Sequence, residues 1–134
     1  MTAERVSIGS SAPEPLAPWQ EPAPGEGSGL HELTALGDAL VARAHADARG
    51  KAAHLVVKTP LLRATVIALT AGSGLPEHNS PPAATLQSLR GQAVLRSDID
   101  RWELTTGSLV PIPPERHAVD AVSDCVLLLT VAAG

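Results

Sequence analysis

The sequence predicts an all-β fold, a small closed antiparallel barrel, preceded by one amphipathic helix and a proline-rich tail. Beyond Gly50 the apolar residues recur with a period of two, in short segments rich in Val, Ile, Leu and Ala. Turn formers punctuate those segments at close spacing, the pattern of a sandwich or barrel. An open sheet of this size would leave aggregation-prone edges. The length, 134 residues, suits a single core.

Residues 1–29 hold five prolines (Pro13, Pro15, Pro18, Pro22, Pro24) and four glycines, with few large apolar groups. Such a stretch buries too little surface to offset its ordering entropy, so a disordered tail is expected. Trp19, in PLAPWQEPAP, is either a docking anchor or an incidental aromatic in a loose segment.

From Leu30 to Arg49 the period changes. Leu30, Leu33, Leu36, Leu40, Val41, Ala44 and Ala48 form one stripe of a helix over residues 30–49. Ser28 is the expected amino-terminal cap and Gly50 the stop. His31 and His45 fall off the stripe and are expected in solvent.

The barrel is expected over residues 51–133. Its strands are read at 52–58, 61–70, 84–90, 92–97, 101–106, 108–112, 117–122 and 125–131, with residues 71–82 as one long loop. Gly91 and Gly107 sit where strands must turn tightly, often with positive φ. Val66, Ala68, Leu86 and Leu95 are the expected apolar wall of a cavity.

Charge and composition exclude several classes of function. Residues 1–50 carry three basic and seven acidic side chains, and residues 51–134 carry seven of each. Neither half offers the basic face that phosphate neutralisation requires, so nucleic-acid binding is not expected. No apolar run approaches the ~20 residues that span a bilayer. The opening MTAERVSIGS has neither the basic start nor the apolar stretch of a secretory leader. One cysteine, Cys125, permits no internal disulfide, and together these features suit a reducing cytoplasm. Cys125 lies in the apolar run VSDCVLLLTV and reads as a buried small hydrophobe.

Two segments carry a family resemblance. GLPEHNSPPAATLQSLRG, from Gly74 to Gly91, resembles the first motif of the cupin superfamily, in which a glycine leads through a histidine-containing turn into a strand ending at a second glycine. GSLVPIPPERHAVDAV, from Gly107 to Val122, resembles the second motif: a glycine, a strand, a proline turn, then a histidine opening the next strand. Fifteen residues separate Gly91 from Gly107, room for the hairpin that joins the motifs in compact members. The resemblance implies a double-stranded β-helix, or jelly roll, and a homodimer, since cupins commonly pair. It also implies a site at the barrel mouth. Metal-dependent cupins place two histidines and a glutamate in the first motif and a third histidine in the second. Here His78 matches the first histidine and His117 the last. Ser80 stands at the second histidine position, and the glutamate position falls at Ala84 or Thr85.

His78 and His117 are therefore the candidate ligands for a divalent transition metal, and equally the candidate polar contacts of an organic ligand. Gln87, Arg63 and Trp102 complete the candidate ligand-binding set. Arg63 either reaches into the cavity or lies on the outer face; Trp102 either lines the pocket or packs in the core. Glu77 and His54 are the remaining groups considered as metal donors. Three functions stay open on this sequence. The chain is a small-molecule-binding or regulatory cupin with a degenerate metal site, a metal-dependent enzyme of the dioxygenase or isomerase type, or a non-catalytic interaction module.

Overall fold

A computed structural model of the chain describes residue 27, residues 29–78, residue 81 and residues 83–132. The expected disordered tail falls almost wholly outside the described residues, as do Ser28 and Ser80. Among the described residues nine strands follow one helix, α1 (Leu33–Ala46). They are β1 (Lys51–Lys58), β2 (Leu62–Leu69), β3 (Gly74–His78), β4 (Ala84–Arg90), β5 (Ala93–Ser97), β6 (Arg101–Leu104), β7 (Leu109–Pro111), β8 (His117–Ala121) and β9 (Cys125–Ala132). They form two antiparallel sheets, with strand orders β1-β2-β9-β4-β7 and β3-β8-β5-β6.

The inner faces of the two sheets meet in one core, which includes Ile67, Leu69, Leu75, Leu86, Leu95, Val119 and Leu127. A second apolar layer lies outside the five-stranded sheet. There Leu40 and Ala44 of α1 pack on Ala52, Val56, Ala64, Val66, Ala68 and Val126. Val66 and Ala68 therefore face the helix, a correction to their expected place in a cavity wall; Leu86 and Leu95 do face inward. The reason is that residues 63–69 of β2 are buried on both faces. Over residues 66–69, covered on both sides, the apolar run has no polar break to tell one face from the other.

The helix is shorter than its apolar stripe. Leu30 is fully exposed, and Glu32 caps the helix instead, its carboxylate accepting from the N–H groups of Thr34 and Ala35 at 3.0 and 2.9 Å. At the other end His45 meets Asp124 at 2.6 Å, and Asp124 also accepts from the Ala71 N–H at 2.8 Å. One carboxylate thus ties the helix, the β2–β3 turn and the β8–β9 turn together. His31 is half-buried, not solvated, its ring 5.9 Å from that of His54.

The expected loop over residues 71–82 contains β3. Its composition, GLPEH, reads as turn because proline cannot donate to a ladder. β3 is an edge strand, where Pro76 needs no partner for its missing N–H.

Pairing fixes which connections share an end of the barrel. Lys58 lies opposite Arg63, His78 opposite His117, Ser97 opposite His117, and Ala84 opposite Val131. The β1–β2, β3–β4, β5–β6 and β7–β8 connections therefore gather at one end, the upper end below.

Gly91 and Gly107 both adopt positive φ, 82° and 91°, as their turns demand. A Cβ on Gly91 would collide with the Asp124 carbonyl, whereas at Gly107 nothing lies within 4 Å. Gly107→Ala should therefore cost about 1–2 kcal/mol, the left-handed strain alone. Gly91→Ala should cost about 2–5 kcal/mol, because backbone must also move. Urea unfolding of the two variants tests this, and equal losses would show that the Gly91 contact is relieved without cost.

Candidate functional site

Two imidazoles meet on the inner face at the upper end. His117 opens β8 on the same side as Val119 and Ala121, both members of the inner core. His78 reaches that side by an irregularity. Between Leu75 and His78 the register of β3 slips, so that three steps along β3 match two along β8, from Val119 to His117. In a regular strand an offset of three would put Leu75 and His78 on opposite faces. The bulge restores His78 to the inner face, and Pro76 and Glu77, within it, are exposed. Glu77 and His78 therefore point apart.

The rings sit with centroids 4.3 Å apart and planes at 70°, an edge-to-face contact. The two share a second feature. His78 Nδ1 lies 2.8 Å from the Pro76 carbonyl, and His117 Nδ1 lies 3.0 Å from the Glu115 carbonyl. A carbonyl only accepts, so each Nδ1 carries the proton and donates. In a neutral ring so anchored the lone pair is on Nε2, which can accept a hydrogen bond, take a proton or ligate.

A brace holds the two motif loops together. Arg116 Nε lies 3.5 Å from the Glu77 carboxylate, and its terminal nitrogen donates to the Glu77 carbonyl at 3.2 Å. This pair spans 39 residues, and no local pattern in the sequence signals it. Two further polar groups were not singled out in the sequence. Thr65 is buried on the inner face two residues from Arg63, and Ser97 lies beside His117 in the ladder. The Ser97 hydroxyl is committed to its own turn, accepting from the N–H groups of Ile99 and Asp100. Arg63 and Thr65 form a polar alternation within LLRATVIALT that could have marked Thr65.

The five expected ligand-binding residues do not all converge. Arg63 is 3 % exposed and shares a face of β2 with Thr65, Ile67 and Leu69, which places it inside at the upper end. Trp102 packs against the inner core one rung below the histidines, opposite Leu95. Gln87 alternates with the buried inner residues Leu86 and Ser88 and so faces outward, beside Leu128. His54 pairs with Val66 on the helix side of its sheet, away from both motif histidines.

This arrangement bears on the metal that the motifs imply. Ala84 lies opposite Val131 on the inner face and brings no donor where the family glutamate would stand; Thr85 is on the outer face. Among the described residues no group of three or more His, Cys, Asp and Glu gathers anywhere. Arg63, a permanent cation, is buried on the same face at the same end. Two imidazoles with no carboxylate gathered to them are a poor donor set for a divalent ion, which takes at least three protein ligands in ordinary sites. The described residues therefore do not fit a metal centre.

Cys125 is fully buried in the inner core, and burial pushes its thiol up to about 11. It is a packing residue, not a nucleophile.

His117, 2 % exposed, has its basicity lowered chiefly by burial and also by the neighbouring His78 and Arg116, against the raising effect of the Glu115 carbonyl and carboxylate. Its folded value lies below the ordinary 6.5, so as pH falls the unfolded chain binds the proton first. The stability linked to this group is complete above 6.5 and is lost as pH falls from there toward the folded value. Unfolding free energy measured from pH 7.5 to 5.5 should fall more steeply in the native protein than in His117→Gln. Identical slopes would remove His117 from the pH dependence.

No family model matches the sequence, and no curated protein matches it. Solved structures do. A conserved Streptococcus pyogenes protein of unknown function is 26 % identical, over 66 % of this chain and 78 % of that one, with a TM-score of 0.59. A cupin superfamily protein of Desulfitobacterium hafniense is 14 % identical over 63 % and 78 %, with a TM-score of 0.58. The salicylate 1,2-dioxygenase of Pseudoaminobacter salicylatoxidans, solved in complex with gentisate, is 17 % identical over 74 % of this chain, with a TM-score of 0.63. This chain spans 32 % of that enzyme's length. At such identities the likeness is one of fold. The two antiparallel sheets of this chain share the fold of these cupin structures, the architecture that the two motifs implied.

Proposed function

We propose that this cupin binds a small organic molecule at the upper end of its barrel, through the Nε2 atoms of His78 and His117. The observation that carries this reading is the anchoring of both Nδ1 atoms on backbone carbonyls. It fixes two imidazoles in one tautomer with their acceptor nitrogens unspent. Two fixed acceptors suit a ligand with hydroxyl or N–H donors, and Val119 on the same strand supplies apolar contact below them. Burial keeps His117 neutral at neutral pH, the state in which its Nε2 accepts. That a neighbour of the fold was solved with gentisate adds support for a small organic ligand. The dioxygenase or isomerase reading needs a third metal donor, which the described residues do not supply.

The test has two arms. In 15N-histidine-labelled protein, small hydroxylated acids, gentisate among them, should move the Nε2 signals of His78 and His117 together, and His78→Ala should abolish binding. Untagged protein should carry well under one equivalent of iron, manganese, nickel, copper or zinc. Stoichiometric metal that survives dialysis, and is lost in both His78→Ala and His117→Ala, would replace this reading with the metal-enzyme one.

We also infer a homodimer. The helix covers β1, β2 and the Val126 end of β9. It leaves Leu128 half-covered and Leu109, on the neighbouring edge strand, 61 % exposed, with Gln87 between them in the ladder. A two-fold contact here would bury one aliphatic strip against its own copy. Leu128→Lys should split the dimer by stranding a charge in apolar surroundings. Sedimentation equilibrium at micromolar concentration should give twice the 13.8 kDa chain mass. A single species at the chain mass would show that no such contact forms.

A further inference from the structure

The bulge that turns His78 inward must itself be held. Pro76 and Glu77 of β3 together oppose Ala118 of β8, between the pairs Leu75–Val119 and His78–His117. Ladder bonds lapse inside a bulge, so its carbonyls turn to other donors, side chains or water. Here side chains meet both. The Pro76 carbonyl accepts from His78 Nδ1 at 2.8 Å, and the Glu77 carbonyl accepts from the Arg116 guanidinium at 3.2 Å.

Arg116 stands one residue before His117, and Glu77 one residue before His78, so this bond crosses between the two strands directly beside the paired histidines. β8 is an inner strand of its sheet, where His117 pairs with His78 on one side and with Ser97 on the other. β3 is an edge strand, held on one side only. A donor rooted on the fixed strand therefore locates the edge strand. The second contact of the guanidinium is with the Glu77 carboxylate, at 3.5 Å, with both side chains about half exposed. An ion pair of that kind contributes little in water. The charge-assisted bond to the carbonyl is the stronger of the two.

We propose that Arg116 is a positioning residue, whose bond to the Glu77 carbonyl holds the β3 bulge against β8 and so keeps His78 on the inner face, edge-on to His117. Without that bond the Pro76–Glu77 stretch is released to water. His78 then loses its ring contact with His117 and the anchoring of its Nδ1. His117, buried and anchored on the Glu115 carbonyl, keeps its place. The consequence for binding an organic molecule rests on the function proposed above. The orientation of His78 does not, and it is read in ligand-free protein, so that either can fail alone.

NMR of the full chain, labelled with 15N and 13C at histidine and held at pH 7.5 without ligand, tests this. The native protein should show NOEs between the rings of His78 and His117, with each ring a single tautomer protonated at Nδ1. In Arg116→Ala the ring-to-ring NOEs should vanish and His78 should give a mixture of tautomers. Arg116 is exposed, so this change leaves the core untouched, and His117 should keep its Nδ1–H pattern as the sign of an intact barrel. Arg116→Lys, which can still donate to the carbonyl, should restore both His78 signatures. Glu77→Gln, which removes the negative charge and leaves the carbonyl, should preserve them. An Arg116→Ala protein with both signatures intact overturns the proposal, as does their loss in Arg116→Lys. Their loss in Glu77→Gln assigns the hold to the ion pair and also overturns it.

Discussion

The pairing of β2 with β9 is the constraint on which the rest of this barrel depends. The two strands run side by side over eight residue pairs, from Leu62 opposite Ala132 to Leu69 opposite Cys125. Each is apolar on both faces at its lower end, so each needs cover twice. The inner faces receive it from the four-stranded sheet, through Leu75, Leu95 and Val119, and the outer faces from Leu40 and Ala44 of the helix. Without the helix, Val66, Ala68 and Val126 would face water; without the second sheet, Ile67, Leu69 and Leu127 would. The helix is thus part of the barrel's stability rather than an appendage to it.

The same ladder fixes where chemistry can occur. Its lower end is closed by large aliphatic residues on the inner face, and its upper end carries Arg63 and Thr65 there. Across from it, β8 and β3 place His117 and His78 at their own upper ends. Polar groups gather where the connections leave the barrel, because below that level each would need a partner inside an apolar core. The one-residue bulge in β3 decides whether a second imidazole joins the first. A regular β3 would turn His78 outward and leave His117 alone.

The residues at the positions where the motif resemblance implied further ligands limit what the pair can do. With an alanine at the inner position opposite Val131, the imidazoles have no third donor beside them among the described residues to complete a donor shell. A metal-ligating histidine commonly donates its other ring N–H to a carbonyl or carboxylate, and both rings here make such a bond. The proposed recognition of a polar organic molecule would use these same aimed imidazoles, and one fold can host many functions.

The sequence by itself determined the class of fold, the helix and eight of the nine strands, because period-two apolar segments, a three-and-four stripe and Gly/Pro punctuation are local signals. It also determined the roles of Gly91, Gly107 and Cys125, each fixed by backbone freedom or by an apolar setting. The pairing of His78 with His117 was legible only through the motif resemblance, since spacing alone does not bring residues 39 positions apart together. Tertiary structure decided the rest. Gln87 and His54 face away from the histidines, and Val66 and Ala68 face the helix, because which side of a strand meets the barrel interior is set by its register with distant strands. β3 was hidden because Pro76 is acceptable only on an edge, and which strand is an edge is a property of the assembled sheet. The bulge that aims His78, and the Arg116–Glu77 brace beside it, arise from register between distant strands, which no local pattern encodes.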